Sequence, residues 1–456
     1  MKQIAALVIL VSSAALAQKI QIPPVERDTL GNGLTLLFME YHKVPLVHLR
    51  LVVNGGSVGD PDSLPGIASM TAGLMREGTA TRSSNQIAEA IDFIGGSLSV
   101  SAGQDYCAAN MQVMSKDLDA ALELFSDVIL NPAFPEEEID RDGEQRLAQL
   151  DAIKEDPSEI ASLVFRKKVY GAHPYGRQTG GTRQSLEAIG RDDLVRFHKR
   201  FFVPNNATIA VVGDFRKTEM LQKIKNYFGG WERGERQRND VKSPSLVPGR
   251  TVVLVNKPDA TQTQIRIGNT GADLQNPDRF ALEVASTVFG GGFTSRLVEE
   301  IRVKRSLTYG AWCGFPANLW GGSYSIGTFT KNETLVETID VIMTELRKLR
   351  EKGITKEELL KAQNYIAGDF ARGLQTPEAL ASQITDIELY GYPRDYLETY
   401  IQKIRNVQQG DLQNVIKKYF LQDDLVFVMV GPAGEIRQKV ESYGRVGVLE
   451  VDQVIE

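Results

Sequence analysis

Four histidines and two cysteines in 456 residues leave few side chains able to bind a transition metal or pass protons near neutral pH. Zinc-dependent hydrolysis asks for a particular set. Two His at i and i+4 share one helix face, and a Glu beside them takes a proton from the attacking water. His42 and His48 are six residues apart in strand-like sequence. At about 3.3 Å per residue they stand roughly 20 Å apart, too far to share an ion. No pair among His42, His48, His173 and His198 has ligand spacing. Cys107 and Cys313 are the two thiols. An oxidising compartment permits a disulfide between them, but bridging needs Cα atoms within about 7 Å. A disulfide and two partly buried free thiols are both open readings.

The elements that must position a site belong to a globular chain. It is 42% hydrophobic and 24% charged, with apolar material for more than one core. A net charge of -6 makes nucleic acid a poor partner. The first residues, MKQIAALVILVSSAALAQKI, combine basic Lys2, a short apolar stretch over 4–11 and a small-x-small Ala15-Leu16-Ala17. That pattern predicts a signal peptide over 1–17 and an exported, periplasmic or extracellular, mature chain from Gln18; a retained anchor is the alternative. No later segment has about 18 uninterrupted apolar residues, so no transmembrane span is expected after signal removal.

Strand-like alternation appears over 34–38, 47–53 and 107–114, and helical spacing over 66–75, 85–94 and 117–129. The chain then repeats itself. RDDLVRFHKRFFVPNNATIAVVGDF, from Arg191, matches QGDLQNVIKKYFLQDDLVFVMVGP, from Gln409: Asp193 pairs with Asp411, Phe202 with Phe420 and Gly213 with Gly431, each 218 residues apart. A second pair of helix starts, at Lys116 and Lys331, is offset by 215. Copies that far apart are too long for a solenoid unit and read as duplicated lobes. The polar, Pro-bearing WERGERQRNDVKSPSLVPG marks the joint. The expectation is an α+β protein of two homologous lobes, 18–230 and 249–456, joined by a linker over 231–248. Each lobe packs helices on a mixed, largely antiparallel sheet.

Four strings carry a resemblance: residues 30–79 (LGNGLTLLFMEYHKVPLVHLRLVVNGGSVGDPDSLPGIASMTAGLMREGT), 173–182 (HPYGRQTGGT), 194–215 (LVRFHKRFFVPNNATIAVVGDF) and 289–310 (FGGGFTSRLVEEIRVKRSLTYG). In this order they resemble the insulinase/pitrilysin-type zinc metallopeptidases, particularly the mitochondrial processing peptidase branch and its bacterial relatives. The likeness covers nearly the whole mature chain, duplication included. Active members carry H-x-x-E-H in a frame like G-x-A-H-x-x-E-H-M-x-x-x-G-T, with a further Glu downstream as third ligand. Here the frame runs without a gap from Gly66 to Thr79, but Ser69 and Gly73 fill the ligand slots and Ala72 fills the base slot. The downstream window LAQLDAI, from Leu147, has no Glu; Gln149 or Asp151 lies nearest. Ser69, Ala72 and Gly73 cannot bind zinc tightly or activate its water, so the resemblance implies no metal on this chain. His173 and His198 lie in segments the family also keeps, where they read as structural.

The resemblance also implies what the second half contributes. Arg302 and Tyr309 match the family's Arg/Tyr pair, which reaches across the substrate cavity toward the scissile bond. A guanidinium and a phenol can donate to a developing oxyanion, and one such donor is commonly worth about 10²–10³ in rate. Gly290, Gly291 and Gly292 match a glycine-rich segment implicated in substrate handling; a helix-entry turn is the plain alternative. Together these imply half of a peptide cavity whose zinc and base come from a homologous partner chain with intact H-x-x-E-H, across an interface of about 2,000 Å² or more. The competing readings are a non-proteolytic core subunit of a membrane complex, a homodimeric peptide-binding protein and, weakly, a peptidase with a rebuilt site.

Overall fold

The computed structural model describes residues 22–236 and 241–455. The signal peptide expected over 1–17 lies outside the described residues, as does part of the expected linker. Among the described residues no helix is long and apolar enough to cross a membrane.

Two sheets organise the chain. The first contains β1 (Glu26–Thr29), β2 (Thr35–Glu40), β3 (Leu46–Asn54), β4 (Ser97–Ala102), β5 (Tyr106–Met114) and β6 (Ala207–Gly213), in the order β1-β2-β6-β3-β5-β4. The second contains β7 (Arg250–Asn256), β8 (Gln262–Gly271), β9 (Ala311–Gly314), β10 (Ala317–Asn318), β11 (Gly321–Lys331), β12 (Leu425–Gly431) and β13 (Arg445–Glu450). Its order is β10-β11-β8-β12-β7-β13, with β9 paired to β11. The pairings match between sheets. β2–β6 and β7–β12 are parallel. β3–β6 and β8–β12 are antiparallel, and so are β3–β5 and β8–β11. The outer edges differ: β1 runs antiparallel to β2, whereas β13 runs parallel to β7. The two-lobed α+β architecture expected from the sequence is therefore the one observed.

The central strands are buried on both faces, and β3 shows why. Its Val47, Leu49, Leu51 and Val53 enter the core of the first half. The alternate residues, His48, Arg50 and Val52, point the other way and are buried too. The cover on that side comes from the other half of the chain. The Pro377–Tyr390 helix lays Leu380, Ala381 and Ile384 against Leu37, Met39, Ala210 and Val212. Reciprocally, the Pro157–Tyr170 helix lays Ile160, Ala161 and Val164 against Val253, Val255, Val426 and Val428 of the second sheet. At about 1.5–3 kcal/mol for each fully buried aliphatic side chain, these crossings lock the halves together.

The crossing helices are themselves a repeat. PSEIASLVFRKKVYG, from Pro157, aligns with PEALASQITDIELYG, from Pro377, at an offset of 220. Pro occupies the first helical position of each, where its missing N–H costs nothing. Asp156 caps the first and Thr376 the second.

Candidate functional site

The helix that would grip a metal in active relatives is Ile67–Leu74. It begins at Gly66, which has φ +95 and lies so close to Gly181 that a Cβ would stand 2.5 Å from its Cα. Asp60 satisfies the helix entry: its carboxylate accepts from the amides of Gly66 (2.7 Å) and Ala68 (3.1 Å). Ala68, Met70, Ala72 and Leu74 are in the core, with Ala72 fully buried. Ser69 and Gly73 share the remaining face, half-buried.

Arg146, on the Glu136–Ile153 helix, closes that face. Its Nη1 donates to Ser69 Oγ at 3.1 Å, its Nη2 to the Ser69 carbonyl at 3.3 Å and its Nε to Asp142 at 2.5 Å. A Cβ on Gly73 would lie 3.2 Å from Arg146 Nη2. A fixed guanidinium therefore stands against both ligand slots. A hydroxyl, a methyl, a hydrogen and a permanent cation do not fit a zinc ion. Among the described residues no cluster of three His, Cys, Asp or Glu could hold a metal elsewhere. Gln149 and Asp151, nearest the slot of the third ligand in sequence, lie on this helix. Gln149 is exposed, and Asp151 is exposed and paired with Arg183 and Lys154. Arg146 was missed, although it precedes Gln149 by one turn and forms an i,i+4 pair with Asp142.

The four histidines are dispersed. His42 is exposed between Asp214 (2.7 Å) and Glu40 (3.3 Å), which together, Asp214 foremost, raise its pKa. His48 is buried under the crossing helix, and burial lowers its pKa. His173 caps the short turn Pro174–Gly176 by accepting from the Tyr175 amide. His198 is buried, donates from Nε2 to the Ile129 carbonyl at 2.8 Å and stacks on Phe202; burial pushes its pKa down to about 4. Cys107 and Cys313 are buried free thiols whose pKa values burial pushes well up, so they are unreactive packing.

The second-half candidates sit on one exposed stretch. Gly290 ends the Arg279–Phe289 helix, and a Cβ there would meet the Cys313 amide at 2.3 Å; one on Gly291 would meet Thr287 Cα at 2.7 Å. The close approach that glycine permits is thus used by the chain itself at 290 and 291. Only Gly292, with Tyr365 at 3.8 Å, is open to a ligand. Beyond it, Arg296 is clamped by Glu358 (2.7 and 2.8 Å) and the Gly353 carbonyl (2.7 Å). The chain is wide there: Val298–Val303 is a π-helical turn, a form that recurs at functional sites. Arg302 projects from this turn. Its guanidinium lies 5.9 Å from the centroid of the Phe293 ring and has no hydrogen bond or ion pair among the described residues. The neighbouring charges are committed, since Glu300 holds Lys304 and Arg305. Tyr309 is 80% exposed and Phe293 81%. No hydrogen bond or ring contact joins Arg302 to Tyr309, or either of them to Ser69, Ala72 or Gly73.

A duplicated two-lobed fold, with a peptidase-type helix and an exposed Arg/Tyr segment in the opposite half, defines a zinc-peptidase class of scaffold. Sequence profiles agree. The profile "Insulinase (Peptidase family M16)" matches residues 37–183, and "Peptidase M16 inactive domain" matches residues 188–366. The chain belongs to the insulinase family of peptidases. An uncharacterized zinc protease of Mycobacterium leprae is 28% identical, over 84% of this chain and 86% of its own. A peptidase M16 inactive domain from Pseudomonas fluorescens superposes with TM-score 0.85 at 27% identity, covering 90% of this chain and 98% of its own. The periplasmic protease PqqL of Escherichia coli superposes with TM-score 0.77 at 17% identity, over 91% of this chain and 48% of PqqL. At that identity the likeness is one of fold.

Proposed function

We propose that this chain is a catalytically incomplete subunit of an exported zinc metalloendopeptidase. It supplies half of the peptide cavity and the Arg302/Tyr309 pair to a homologous partner chain that carries the zinc and the general base. One contrast carries this reading. The metal-binding face is closed by Arg146, whereas Arg302 and Tyr309 are held out, charged or polar and without internal partners. Arg302 is exposed and its guanidinium bonds to nothing among the described residues, so it is available to a group outside the chain. The exposed rings of Phe293, which Arg302 touches, and of Tyr309 suit burial against a second protein and a peptide.

In this role the partner's zinc supplies the hydrolytic chemistry. Arg302 and Tyr309 donate hydrogen bonds to the peptide carbonyl oxygen as negative charge grows on it, and Gly292 leaves room for the peptide backbone. The test is reconstitution with an exported homologue bearing intact H-x-x-E-H. Arg302→Ala should lower turnover by about 10²–10³, with complex formation and zinc content unchanged. Unaltered turnover would remove Arg302 from the reaction, and failure of the two chains to associate would remove the partnership.

A further inference from the structure

The two crossing helices meet the two sheets at matched arginines. Arg50 on β3 faces Ala210 of β6, and Arg266 on β8 faces Val428 of β12. Both are buried, at 8% and 7% exposure. Arg50 is well supplied. It donates to Thr385 on the crossing helix (3.0 Å), to Asn110 (2.8 Å) and to the Tyr106 hydroxyl (3.2 Å). Asp386 of the same helix lies within its field, and the Arg50 charge opposes the rise that burial causes in the Asp386 pKa.

Arg266 has no such neutral surrounding. The position of Asn110 is taken by Gly327, against which Trp312 packs, and the Trp312 ring lies 5.5 Å from the guanidinium. Its hydrogen bonds go to Ser158 (2.9 Å), Ser162 (3.4 Å) and the Ile265 carbonyl (3.1 Å), so donors remain free of the five it carries. It forms no ion pair among the described residues. Of the acids whose field reaches it, Asp156 is occupied in capping the helix and Glu159 is exposed. At the helix position that carries Asp386 in the other copy, 220 residues away, stands Arg166. Arg166 likewise has no hydrogen bond or ion pair among the described residues. Arg166 and Arg266 line one cavity of about 440 Å³, with Phe165 and Trp312 as apolar walls and Asn318 and Ser323 as further polar groups.

We propose that this cavity between the two halves binds a carboxylate carried on an apolar body, such as the end of a short peptide. The ligand supplies the negative charge that Asp386 supplies in the matching copy. Two guanidinium groups lining one cavity suit a planar two-oxygen anion. The flat apolar walls suit a hydrophobic residue next to it. The cavity lies within one chain, so the inference stands apart from the zinc-bearing partner and from Arg302.

The test uses the isolated mature protein in calorimetric titration with N-acetyl-alanyl-phenylalanine, its C-terminal amide and inorganic phosphate. The acid should bind saturably at low salt, and the amide at least about tenfold more weakly. Arg166→Asp, which restores the acid of the other copy, should weaken the acid at least about tenfold while melting as a folded protein. Because Arg166 is half-exposed, this variant avoids the folding risk of removing Arg266. Equal binding of acid and amide, unchanged affinity in Arg166→Asp, or phosphate binding as tightly as the peptide acid would each overturn the assignment. So would the absence of saturable binding of the acid.

Discussion

Arg146 and Arg302 belong to opposite halves of the chain and have opposite fates. Arg146 spends its donors on Asp142 and Ser69, inside the molecule. Arg302 makes only a ring contact with exposed Phe293. A helix face stripped of metal ligands leaves polar backbone and a gap, and a guanidinium that bonds across it restores both packing and hydrogen bonding. The exposed segment has no such internal closure: Arg302 and Tyr309 are exposed. The candidate face in the first half is closed by its own chain, and the candidate side chains in the second half are open to solvent.

The strongest way to break this contrast is to reopen the first half. Restoring Ser69→His, Ala72→Glu, Gly73→His and Gln149→Glu should yield no tight zinc while Arg146 remains, because its charge and its contact with position 73 oppose the metal. Adding Arg146→Ala should bring zinc to about one per chain, read by metal analysis after dialysis. Equal zinc in both proteins would show that Arg146 does not close the site.

A smaller effect concerns His198. Its folded pKa of about 4 lies below its ordinary value of 6.5. Above pH 6.5 neither state is protonated, so the group is neutral to stability. As pH falls from 6.5 toward 4 the unfolded chain takes up the proton and the folded chain does not. Stability should drop by about 3 kcal/mol across that window from this group. His198→Leu should remove that part of the slope in urea unfolding followed against pH; an identical slope in the variant would refute the buried neutral ring.

The smallest effect compares the two arginines directly. Arg146→Ala should cost about 1–3 kcal/mol, since it orphans Asp142 and the Ser69 groups. Arg302→Ala should change stability by no more than about 0.5 kcal/mol. Comparable losses at both positions, by urea denaturation, would erase the distinction between a sealed site and an open one.

The side chains of the Gly66–Thr79 frame are legible in the sequence because ligand chemistry belongs to side-chain identity: Ser69, Ala72 and Gly73 lack the nitrogens and carboxylate whatever surrounds them. The duplication was legible because helix ends and buried strands impose the same residues wherever the same packing recurs, as at Phe202 and Phe420. The strand pattern of β3 was readable as a strand, yet not that His48 and Arg50 lie inside, since their cover comes from residues 377–390. The wide turn bearing Arg302 is not legible in the sequence, because helical periodicity alone does not reveal a π-turn.

What the sequence determined by itself, then, is composition-bound: the family frame, the lost ligands and the doubled lobe. What only the tertiary structure decided is approach. Arg146 reaches Ser69 across 77 residues of chain, and Arg266 reaches Ser158 across 108. Arg166 joins Arg266 in one cavity only because each half caps the other's sheet. Electrostatic energy depends on distance and burial rather than on position along the chain, so the charges that seal one site and line another could be named in advance but not paired.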